Sequence, residues 1–216
     1  QEMSRGLGDV YKRQGEDPMY ALEGSVPIAG AAVQWLRDNL NIIDKSKDIE
    51  SLAMLEKDNG DVYFVPAFSG LFSPHWDETA RGSLFGLTRF SNKSHLSRAV
   101  LESVAFQTYE LLESMEKDLD TEFESLKVDG GMVANNLLMQ FQSDLLDKSI
   151  HSQEINEITA LGVGVASYLY VKDLPLSSIS NYISSSITWN PNMSNETRIN
   201  SLESWYKAIE KAKNWL

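Results

Sequence analysis

GSLFGLTRFSNKSHLSRAVLE, residues 82–102, decides how the rest of the chain is read. Two glycines, Gly82 and Gly86, stand four apart in a hydrophobic segment. A polar loop follows, and His95-Leu96 then opens a run carrying Ala99, Val100, Leu101 and Glu102. The short apolar piece between the glycines predicts a strand over residues 83–87. The run beyond it predicts a long helix over residues 95–118, with Leu96, Val100, Val104, Leu111 and Met115 on its buried side.

Working outward in both directions, strands and helices alternate. Upstream, residues 29–40 read as a helix, with Ala32, Trp35, Leu36 and Leu40 at helical spacing, and residues 46–57 as a shorter one. Asp58-Asn59-Gly60-Asp61 is a turn, and Val62-Tyr63-Phe64-Val65 a buried strand. Residues 66–81 form a long loop. Downstream come a strand at residues 126–128, a helix at 134–146, a strand at 149–152 and a helix rich in small residues at 158–171. Residues 181–188 read as a serine-rich connector. Residues 196–215 read as a closing amphipathic helix with Ile199, Leu202, Tyr206 and Ile209 on its stripe. The alternation gives an α/β domain. Pattern alone leaves Rossmann-like, flavodoxin-like and actin-like folds open. Residues 1–14, QEMSRGLGDVYKRQ, stand apart and read as a translated linker, which leaves 15–216 as the domain.

Composition narrows the function classes. The chain has 216 residues, 42% hydrophobic and 23% charged, enough for a sizeable core. Its formal net charge of -12 argues against binding nucleic acid or anionic lipid through bulk electrostatics. The same charge repels a nucleotide at long range, so a nucleotide site must rest on local donors. There is no cysteine, which removes disulfide and thiol chemistry and fits a reducing cytoplasm. No apolar run has the roughly 18 residues a membrane span needs.

Several constellations could carry chemistry. Asp129-Gly130-Gly131 lies between a predicted strand and a predicted helix, where glycines permit close backbone approach and helix-terminal amides attract anions. Asn135, in the first turn of that helix, can offer amide donor and acceptor atoms to a purine edge. A tight turn would produce the same Gly-Gly. Gly30 and Gln34 are four apart and share a helix face. They suit either a ligand against the helix or plain tight packing. In the loop, His75 and Asp77 could act as base and orienter; the architectural reading is preferred, with Trp76 burying its ring and Arg81 pairing with Asp77. Residues 159–166, TALGVGVA, look like a loose phosphate loop but read better as a helix whose small residues allow close packing. His75, His95 and His151 lie far apart with no ligand spacing, so no protein-held metal is expected.

Residues 82–102 fit, with their spacing, the second signature of the FGGY carbohydrate kinases. VPAFSGLFSPHWDETARG (residues 65–82) and VDGGMVANN (residues 128–136) strengthen the likeness, which is to the C-terminal half of the glycerol-phosphorylating members and covers about residues 15–174. The resemblance implies the ribonuclease H-like (actin-like ATPase) fold, with this chain as a partial C-terminal domain. It implies ATP, carried with Mg2+, as phosphoryl donor, glycerol as acceptor, and a homo-oligomer in the cytoplasm. Carried over residue by residue, it puts Gly30 and Gln34 of Ala29-Gly30-Ala31-Ala32-Val33-Gln34 at the nucleotide, together with Gly131 and Asn135. The family's base is an aspartate in a Gly-Asp-Gln segment, and no such segment occurs here. No catalytic residue is therefore expected in this chain, and its partner is the missing N-terminal domain. His75 stands where a tyrosine is usual, and Phe72 where glycine or tyrosine is common. The other readings are a kinase for a different sugar or polyol, and a non-catalytic actin-like nucleotide-binding module.

Overall fold

The computed structural model describes residues 7–11, 19–153, 158–175, 178 and 186–216. Three small sheets are present among them. β1 (Leu7–Tyr11) and β2 (Met19–Glu23) pair antiparallel, and so do β3 (Tyr63–Val65) and β4 (Ser83–Phe85). The third sheet runs in the order β5 (Ser125–Val128), β6 (Ser149–Gln153), β7 (Ser186–Trp189). β5 and β6 are parallel, with Leu126 opposite Ile150, and β7 returns antiparallel, with Trp189 opposite Ile150. A parallel pair needs a crossover, and α4 (Asn136–Leu146) supplies it. The remaining helices are α1 (Gly30–Asp38), α2 (Asp48–Ala53), α3 (Lys93–Leu119), α5 (Ile158–Val171) and α6 (Asn195–Ala212).

α3 is the axle of the molecule. Asn92 caps it, accepting from Ser94 N at 2.8 Å and His95 N at 3.3 Å, while His95 Nδ1 accepts from Asn92 N. This reciprocal arrangement satisfies donors that helix geometry leaves orphaned. The helix is buried on more than one side: Val100, Val104, Leu111 and Met115 are inside as expected, and so are Leu101, Phe106, Glu102 and Glu110. Leu96 is only partly buried. Phe106 stacks on Trp205 of α6, centroids 4.8 Å apart and planes 4° off parallel. Trp35 of α1 stacks on Phe64 of β3 at 5.4 Å. These two aromatic pairs pin α6 and α1 to the central layer. Gly86, the second glycine of the decisive stretch, has φ +82°, and a side chain there would collide with the Asp61 carbonyl oxygen. Its place next to the 58–61 turn therefore requires glycine.

Several expectations need correction. Residues 186–188, read as connector, belong to β7; the serines hid a strand whose anchor is the buried Trp189. Residues 181–185 lie outside the described residues. On α6 the buried stripe is Leu202, Trp205, Ala208, Ile209 and Ala212, while Ile199 is exposed. Trp76 is also exposed, with φ +49°, and does not bury its ring. Arg81 donates to the Glu78 and Ala80 carbonyls rather than to Asp77. Asp77 instead caps its own loop, accepting from Thr79 Oγ1 at 2.6 Å, Thr79 N at 2.8 Å and Ala80 N at 3.2 Å, and takes Asn214 N at 3.0 Å. The Thr79 hydroxyl and these backbone amides pull its carboxyl down to about 2. α5 forms where expected, but Gly162 and Gly164 face open space with nothing within 4 Å of an added Cβ. Only Val165 and Leu169 of its described side chains are buried, so the small residues serve no close packing here. Among the described residues, no helix is long and apolar enough to cross a membrane.

Candidate nucleotide-binding site

Gly30 opens α1, and Gln34 follows one turn later on the same side. Ala32 and Leu36 bury the opposite side of that helix and so hold the Gly30–Gln34 face outward. A hundred residues further on, β5 ends and the chain makes a left-handed step at Gly130, φ +97°. One turn of 3-10 helix, Gly131–Ala134, then leads into α4. The two segments face each other. A Cβ added at Gly30 would come within 3.8 Å of Met132 Sδ. Between them lies a cavity of about 550 Å³ lined by Gly30, Gln34, Gly131 and Asn135. That volume falls within the range of small-molecule and cofactor pockets.

The rest of the wall combines apolar and polar groups. Val33, Ile49 and Met132 supply apolar surface, and Ser46, Lys47 and Glu50 supply a hydroxyl, a cation and an anion. An added Cβ at Gly130 or Gly131 meets nothing within 4 Å, so the backbone there is open to whatever enters. The expected helix start at residue 134 needs adjusting. Asn135 is the N-cap of α4 rather than a member of its first turn, and its Oδ1 accepts from Leu138 N at 2.8 Å. Its oxygen is therefore engaged, and the side-chain NH2 has no hydrogen-bond partner among the described residues. Leu137 N is also engaged, donating to Glu50 Oε1 at 2.9 Å.

All four residues singled out from the sequence thus meet at one cavity. Ser46, Lys47 and Glu50 were missed. Polar residues around a short helix carry no signal that separates a cavity wall from a solvated face. His75 and Asp77 are absent from this wall. His75 Nε2 lies 2.8 Å from Oε1 of the buried Glu110, so its partner is on α3 and not in its own loop. Among the described residues no three His, Asp or Glu side chains converge as a metal site would require.

The profile of the FGGY family of carbohydrate kinases, C-terminal domain, matches residues 4–168. The chain belongs to the FGGY family of carbohydrate kinases. Its match begins inside residues 1–14, the segment read from the sequence as a translated linker. Among FGGY relatives, the glycerol kinase of Brucella anthropi is 50% identical over 213 residues, covering 96% of this chain and 42% of that protein. The glycerol kinase of Azorhizobium caulinodans is 50% identical over 206 residues, covering 95% and 41%. The chain thus spans about 42% of the length of the relatives it matches. The crystal structure of Plasmodium falciparum glycerol kinase with ADP superposes with a TM-score of 0.89 at 35% identity, covering 96% of this chain and 42% of that one. A xylulose kinase from Lactobacillus acidophilus, 21% identical with a TM-score of 0.71, shares the fold. The fold is therefore that of the FGGY C-terminal domain, an actin-like ATPase fold carried here in part.

Proposed function

We propose that this chain is the nucleotide-side portion of a glycerol kinase. The whole enzyme would transfer the γ-phosphoryl of ATP to a terminal hydroxyl of glycerol, giving glycerol 3-phosphate. One observation carries the reading. Two segments a hundred residues apart bring Gly30, Gln34, Gly131 and Asn135 to a single cavity, in a chain half identical to glycerol kinases. Phosphoryl transfer rests on positioning and charge stabilisation. This wall's share is positioning. Gly130 and Gly131 leave the backbone open to close approach, the Asn135 NH2 donates to a base edge, and Val33, Ile49 and Met132 give a flat ring apolar surface.

Magnesium is proposed to arrive on the phosphates of ATP. Among the described residues no three His, Asp or Glu side chains group to hold it without the phosphates. The base that takes the glycerol proton, and the polyol contacts, are assigned to the N-terminal domain of the whole protein, which we propose to be a cytoplasmic homo-oligomer. The domain is proposed to span residues 15–216; the strand before it bonds only to β2 among the described strands.

A coupled assay tests this. The chain alone should give no ATP- and glycerol-dependent turnover, since loss of a general base alone costs about 10²–10⁴ in rate. Fused behind the N-terminal portion of the Brucella anthropi enzyme, it should phosphorylate glycerol. Robust turnover by the isolated chain, or a folded fusion that binds no ATP and phosphorylates no glycerol, would overturn the proposal.

A further inference from the structure

The cavity has two walls, and one side chain ties them together. Glu50 sits on α2, whose Ile49 and Ala53 are buried in the core, so its backbone is fixed. Its Oε1 accepts from Leu137 N at 2.9 Å, across 87 residues of sequence. Among the described residues this is the one hydrogen bond joining α2 to α4. Beside it, Asn135 Oδ1 accepts from Leu138 N. The first turn of a helix leaves its amides without partners. Here two consecutive amides are taken by side chains, and both side chains line the cavity. The Glu50 bond is charge-assisted and lies at the positive end of the α4 dipole, where a carboxylate is held best.

We propose that Glu50 is a positioning residue of the nucleotide site, setting the separation between the α2 wall and the turn that carries Gly131 and Asn135. This rests on the nucleotide reading above. Glu50 acts through α4 rather than on the ligand. Without its carboxylate the α4 N-terminus is released from α2, and the Asn135 NH2 no longer stands at a fixed distance from Gly30 and Gln34. A glutamine at the same place keeps a carbonyl oxygen for Leu137 N and should keep the spacing. An aspartate keeps the charge but is one methylene short of the amide.

The test is a titration of the ¹⁵N-labelled 216-residue chain with ADP, followed by amide shifts and compared with Glu50→Ala, Glu50→Gln and Glu50→Asp. In the native sequence ADP should move the Gly131 and Asn135 amides. Glu50→Ala and Glu50→Asp should weaken ADP about tenfold or more, as loss of a hydrogen bond to a charged group would. Glu50→Gln should recover most of the affinity. Glu50→Asp carries the test if the alanine variant does not fold. A folded Glu50→Ala or Glu50→Asp with unchanged ADP affinity overturns the positioning role and leaves the nucleotide reading standing. A glutamine variant as weak as the alanine one also overturns it, because that would mean the charge meets the ligand directly. Absence of any ADP-induced shift in the native chain removes the nucleotide reading and this proposal together.

Discussion

Asn135 divides its amide between two tasks, and substitution can separate them. Its oxygen caps α4 through Leu138 N, and its NH2 is proposed to meet the ligand in the cavity that Asn135 lines. Asn135→Asp keeps the cap, because aspartate is as good an N-cap residue as asparagine, so stability should hold within about 1 kcal/mol. The donor is lost, so ADP binding should weaken. Asn135→Ala loses both, and stability should fall by about 0.5–2 kcal/mol as well. Gly131→Val makes the same separation by a different route. Open space above Gly131 lets the fold accept a side chain that would occupy the place of the ligand. Thermal melts paired with ADP titrations check all three. A destabilised Asn135→Asp, or full ADP affinity in Gly131→Val, would show that these residues do something else. At this scale the sequence was legible only with the family's help. A glycine pair between strand and helix looks the same whether it makes a turn or admits a ligand. Glu50 was illegible altogether, since nothing in Asp48–Ala53 points to an amide 87 residues away.

Among the elements, α3 carries a buried carboxyl whose protonation matters to folding. Glu102 accepts from Arg98 Nε at 3.0 Å and Asn59 Nδ2 at 2.8 Å, tying the 58–61 turn to the helix. Burial outweighs these partners and lifts its carboxyl from 4.5 to about 7. The folded chain therefore holds this proton more tightly than the unfolded chain does. Glu102 supports folding fully below the ordinary carboxylate range, and that support drains away as pH rises through about 7. Melting at pH 5 and pH 8 should show native protein losing more stability over that interval than Glu102→Gln does, by a difference on the order of 1–3 kcal/mol. Equal pH slopes in the two proteins would mean that Glu102 is ionised throughout. α3 was readable in the sequence because its apolar spacing is long and its start is a polar loop. β7 was not, because four residues with serine at the edge resemble a connector until Trp189 is seen inside. The α6 stripe was misread because Trp205 and Ile199 both lie near a plausible face. Stacking against Phe106 decides between them, and that is a tertiary fact.

The whole molecule is strongly acidic, yet the ligand proposed for its candidate site is a polyanion. The net charge of -12 gives no long-range attraction, so the proposed binding must rest on local geometry: open backbone at Gly131, the Asn135 donor, and Lys47 on the wall. The fold that builds this geometry is the FGGY C-terminal fold, and the chain spans about 42% of the relatives that share it. Its proposed contribution is one wall of a cleft. The most direct test is photolabelling of the intact chain with 8-azido-ADP, followed by mapping of the labelled peptides. We expect label within residues 28–50 and 129–137, and competition by unlabelled ADP. Label concentrated in residues 69–81 around His75, or label that ADP does not displace, would contradict the placement of the nucleotide at this cavity.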